Sequence, residues 1–64
     1  MIVTYMLKEH RDTLHKLENV SHITFDSTFV WIYQIGEQGG PAPIRIKLVR
    51  IHYLKAGNVV MIGG

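Results

Sequence analysis

The sequence predicts an all-β domain: a small antiparallel meander of about five strands, partly closed into a barrel or completed by oligomerisation, with at most one short helix. Three observations point there. Apolar and polar residues alternate with period two over Val20–Asp26 and Ile44–Leu48. The segments between turns are rich in β-branched and aromatic residues, which favour a pleated strand. Turn-forming residues recur at short intervals, as hairpin-linked strands require.

Met1–Lys8 opens with Ile2, Val3, Thr4 and Tyr5 and reads as a first strand. Glu9-His10-Arg11-Asp12 reads as a polar turn. Thr13–Glu18 is then a strand or irregular connection. A short helix capped by Asp12 or Thr13 is the alternative, with Leu14 and Leu17 at helical spacing, but so short a segment does not hold a helix alone. In Val20–Asp26, Ile23 and Phe25 point one way and His22, Thr24 and Asp26 the other. Asp26-Ser27 is a turn signal, so this segment and the next form a tight hairpin.

Thr28–Ile35 is apolar on both sides. Phe29, Trp31, Tyr33 and Ile35 line one face, and Val30 and Ile32 the other. A chain of 64 residues buries one face of a sheet readily. The second face calls for more chain, a partner or a ligand. Gly36–Pro43 is a loop on composition. Over Ile44–Leu54 the apolar phase slips: Ile44, Ile46 and Leu48 are followed by Val49, Ile51 and Tyr53. A bulge or kink near Leu48 and Val49 must absorb one residue. Ala56-Gly57-Asn58 is a turn, and a short final strand ends near Ile62.

The chain reads as one domain, 1–64. It contains no cysteine, so disulfides and thiolate metal sites are excluded, and a homo-oligomer is the expected staple for so small a core. No apolar run is long enough for a membrane helix, and Met1–Lys8 lacks the pattern of a signal peptide; a cytoplasmic location without membrane contact is expected. The charge is uneven. All five acids fall within the first 37 residues, whereas Arg45, Lys47, Arg50 and Lys55 follow with no acid among them. Such asymmetry points to an anionic partner or to self-association of unlike faces.

The candidate ligand-binding residues are therefore Arg45, Lys47, Arg50, His52 and Lys55. On one strand face, alternate positions stand about 6.6 Å apart, comparable to phosphate spacing along a nucleic acid chain, and guanidinium groups suit phosphate. Solvent-facing charge that guards a sheet edge is the plainer explanation. Phe29, Trp31 and Tyr33 are expected at a core or subunit interface, where aromatics are enriched. They also resemble the stacking platforms of single-strand binders, although this strand supplies no flanking cation of its own.

No catalytic group is expected. Ser21 adjoins His22, but strand neighbours point to opposite faces. His10, His15, His22 and His52 lack metal-ligand spacing, so neither metal nor cofactor is predicted. Gly36, Gly39 and Gly40 lack the Gly-Lys-Ser/Thr of a phosphate loop.

Two resemblances extend this reading. Asn19-Val20-Ser21-His22-Ile23-Thr24-Phe25, the aromatic strand, and Ile46, Leu48 and Ile51 together resemble very small β-meander proteins of bacteriophages and other mobile elements. That resemblance implies a stand-alone, non-enzymatic binder of a kind that often blocks a host factor or defence system. The basic residues make the expected partner nucleic acid, nucleotide or an acidic protein surface, and a pure protein-protein inhibitor that meets a host protein through the aromatic strand is an alternative. The last nine residues, ending Gly63-Gly64, resemble the tail of ubiquitin-like sulfur carriers and imply an alternative role acting through Gly64. That family's long helix has no counterpart here, and Asn58 stands where an acidic residue is usual.

Overall fold

The strands order themselves so that compact aliphatic side chains fill the space between two sheets. The computed structural model describes residues 1–36 and 42–63. Its strands are β1 (Val3–Leu7), β2 (His10–Leu17), β3 (Val20–Phe25), β4 (Phe29–Gln34), β5 (Ile44–Lys47), β6 (Ile51–Ala56) and β7 (Val59–Ile62). One sheet has the order β2-β1-β6-β7 and the other β3-β4-β5, and every pairing is antiparallel. The all-β expectation is met, with seven strands among the described residues instead of about five. The barrel is not closed: the strands form two separate hydrogen-bonded sheets.

Val3, Ile51 and Leu54 of the first sheet meet Val20, Val30, Ile32 and Ile46 of the second, and all seven are buried. The ambiguity of the aromatic strand is thereby resolved. Val30 and Ile32, both 0% exposed, take the core face, and Phe29, Trp31 and Tyr33 take the outer face, half-buried.

Local chemistry explains the joints. The first hairpin turns at Lys8-Glu9, tighter than the polar turn expected over Glu9–Asp12, because Leu7 pairs directly with His10. Thr13–Glu18 is strand almost throughout, its Leu17 packed beside Val3. Asn19 passes the chain from β2 to β3 at φ 57°, a left-handed conformation that asparagine tolerates better than most residues. Met1 and Val20 exchange backbone hydrogen bonds of 2.8 and 3.0 Å, which tie the start of β1 to the start of β3.

At the β3–β4 turn, Asp26 Oδ1 accepts the backbone N–H of Thr28 at 2.7 Å and of Phe29 at 2.6 Å. This is the expected tight hairpin, with its aspartate acting on the backbone as turn chemistry dictates. At Gly57, φ 59° supplies the positive value that a two-residue hairpin needs at its first central position.

The phase slip after Leu48 is absorbed by one 3-10 turn, Leu48–Arg50. Its effect is larger than that of a bulge. Ile44–Leu54 is two strands in different sheets, and the turn carries the chain around the corner of the core. Apart from this turn there is no helix among the described residues, and none long and apolar enough to cross a membrane. Gly63 has φ 78°, and a Cβ there would lie 2.5 Å from the His52 carbonyl oxygen, so this position accepts only glycine. Most of the expected glycine loop, residues 37–41, and Gly64 lie outside the described residues.

Candidate anion-binding face on the three-stranded sheet

The outward side chains of β3, β4 and β5 stand in register. Thr24, Trp31 and Arg45 are opposite one another across the three strands. Tyr33 lies opposite His22, and Phe29 opposite Lys47. The aromatic row therefore runs down the middle strand with both cations on one flank. The aromatic strand has no cation of its own; strand pairing brings two beside it.

The contacts are specific. The Arg45 guanidinium lies 4.5 Å from the Phe29 ring centroid and 5.7 Å from that of Trp31. An exposed cation–π contact of this kind contributes about 0.5–1 kcal/mol. Phe29 and Trp31 meet edge to face, with centroids 5.9 Å apart and planes at 63°. His22 is stacked on Tyr33 at 4.4 Å and 9°.

Among the described residues, one acid bonds to this face. Asp26 Oδ2 accepts the Trp31 Nε1–H at 2.8 Å while Oδ1 holds the two turn amides. Asp26 thus fixes the indole from the hairpin tip. The same bonds hold its carboxyl below the usual carboxylate range: first the Trp31 N–H, then the Phe29 and Thr28 amides, with nearby Arg45 adding to them. A carboxyl with a lowered native pKa contributes stability that is fully present above its unfolded value and is lost as pH falls through the native one. Trp31 fluorescence should therefore change in an acid transition below the ordinary aspartate range, and Asp26→Asn should remove it. A transition centred at the ordinary value would contradict this assignment.

The four cations and His52, read together in the sequence, do not share a strand face. Arg45 and Lys47 are exposed on β5. Arg50 belongs to the 3-10 turn and donates from Nε to Glu9 Oε1 at 2.8 Å, with a second bond from Nη2. Its charge is neutralised by an acid 41 residues away in the chain, which a local count of charges does not register. His52 and Lys55 lie on β6, in the other sheet. Among the described residues neither Arg45 nor Lys47 is in salt-bridge contact with an acid. The binding set contracts to these two, and Phe29, Trp31, Tyr33 and Asp26 join it.

The expectation that Ser21 and His22 point apart fails. The register shifts between Val20 and His22, and Ser21 Oγ lies 2.8 Å from His22 Nδ1. The irregularity breaks the strict alternation of strand side chains. The Ser21 hydroxyl also donates to the Tyr33 carbonyl at 3.2 Å, which directs its proton to the backbone and not to the imidazole. As placed, the pair braces the Tyr33–His22 stack. Among the described residues no three of His, Asp and Glu gather as metal ligands would. An open depression of about 330 Å³ lies elsewhere, lined by Met1, Ile2, Glu18, Asn19 and Ile35.

The class defined by fold and face is thus a small all-β protein with an aromatic, cation-flanked sheet surface. No family model, curated protein or solved structure matches the chain.

Proposed function

We propose that the protein is a non-enzymatic binding module whose outer β3–β4–β5 face takes an anionic ligand. The observation that supports this best is the register of Arg45 and Lys47 against Trp31 and Phe29. Two exposed cations with no salt bridge among the described residues stand beside half-buried rings that stiffen the surface beneath them. Guanidinium and ammonium donors form charge-assisted hydrogen bonds to phosphate or carboxylate oxygens.

The test is a titration with labelled polyanions at increasing salt. Binding should weaken with a log–log slope of about −0.7 for each phosphate neutralised on a single strand. Absence of polyanion binding, or affinity independent of salt, would overturn the reading.

Self-association is a second reading, favoured by the edge of β7, which pairs with no strand but β6 among the described residues. Val59, Val60 and Met61 are exposed at 62%, 45% and 45%, and no charged residue or proline interrupts the strand. Edge strands are ordinarily guarded by such residues; β2 has Arg11, Asp12 and Lys16, and β5 has Arg45 and Lys47, whereas β3 lacks them as β7 does. Sedimentation should show a concentration-dependent dimer that Val59→Lys dissociates. A monomer at all concentrations would eliminate it.

A further inference from the structure

We infer that the anionic ligand is single-stranded nucleic acid, its bases stacked on the β4 aromatic row and its phosphates held by Arg45 and Lys47. This rests on the anion-binding reading above and narrows it to one class of macromolecule. An acidic protein surface needs only the cations. It leaves unexplained three rings at alternate positions on the middle strand, all turned outward although Val30 and Ile32 fill the core without them.

The parts divide the work as a polynucleotide requires. Unpaired bases present π-faces that stack on aromatic rings without regard to sequence, and the backbone presents one charge per nucleotide. Here rings and cations are adjacent on neighbouring strands: Trp31 opposite Arg45, and Phe29 opposite Lys47. The rings are held in place before any ligand arrives. Trp31 is fixed by Asp26, whose oxygens are already engaged by three N–H donors, and Tyr33 is stacked on His22.

Arg45 rests over Phe29 in the free protein. On binding it exchanges that ring for a phosphate and leaves the ring open to a base. A duplex cannot use this face, because its bases are already paired and stacked on one another.

The experiment compares four probes on the intact chain: a short thymidine oligonucleotide, an abasic strand of the same length, the matching duplex, and polyglutamate. The oligonucleotide should bind more tightly than the abasic strand by about 5- to 150-fold for each stacked base. The chain has one tryptophan, so quenching of its fluorescence by the oligonucleotide reports Trp31 alone. Trp31→Ala should erase most of the base-dependent increment, and Trp31→Phe should keep part of it. Should Trp31→Ala fail to fold, the ratio of oligonucleotide to abasic strand on the native protein decides by itself. Equal affinity for the oligonucleotide and the abasic strand would overturn the inference and leave anion binding standing. So would a duplex or polyglutamate bound as tightly as the oligonucleotide. Failure of all four probes to bind would overturn both.

Discussion

Leu54→Ala is expected to leave the protein largely unfolded. Leu54 is 0% exposed and lies centrally in the four-stranded sheet, opposite Tyr5 on β1 and Ile62 on β7. Truncating a buried leucine costs about 2–5 kcal/mol, in lost transfer energy plus the cavity left behind. A core this small supplies only about 3–5 kcal/mol in total. There is no disulfide to limit the unfolded chain. Urea unfolding followed by circular dichroism should show the variant past its midpoint, or close to it, without denaturant. Val49→Ala, at a position 72% exposed, should match the parent. A wild-type midpoint for Leu54→Ala would mean that the two sheets do not share the core described.

The second large effect is on binding. Arg45→Glu with Lys47→Glu should reduce affinity for a polyanion by about 100-fold or more, since each charge-assisted hydrogen bond contributes about 1.5–3 kcal/mol. The salt slope should also become shallower by about 1.4, the share of two phosphates. Both residues are exposed, so the fold should survive, apart from the small cation–π contribution of Arg45. Lys55→Glu provides the contrast, because it reverses one charge on the opposite sheet and should have little effect. Arg50→Gln should also bind nearly normally, its charge being already engaged by Glu9. Equal losses per reversed charge from Lys55→Glu and from the β5 pair would mean that binding follows net charge and not this face.

The contrast between these cations marks where sequence reasoning reaches its limit. The slip at Leu48 and Val49 is visible as a change in the phase of apolar residues. Its consequence is not, because a bulge within one strand and a corner between two sheets leave the same trace in a local pattern. Only packing decides, and here Ile46 and Ile51 reach one core from different sheets. The β3–β4 hairpin was legible because Asp26-Ser27 is local turn chemistry. That the same aspartate would also hold Trp31 depends on the hairpin already being formed.

The two-faced strand was ambiguous for a different reason. Hydrophobicity alone cannot choose between Val30 and Ile32 on one side and three aromatics on the other. Shape and polarity decide: the aliphatics pack without polar atoms, whereas the indole N–H keeps a partner at the surface. Likewise, the Ser21–His22 contact needs a register shift that strand periodicity does not announce.

The most direct measurement is an amide and indole NMR titration with the thymidine oligonucleotide. The largest shifts should fall on the outer positions of β4 and β5, at Phe29, Trp31, Tyr33, Arg45 and Lys47, with the single indole N–H signal among them. Shifts centred on β1, β2, β6 and β7, or an indole signal unmoved at saturation, would contradict the assignment of this face.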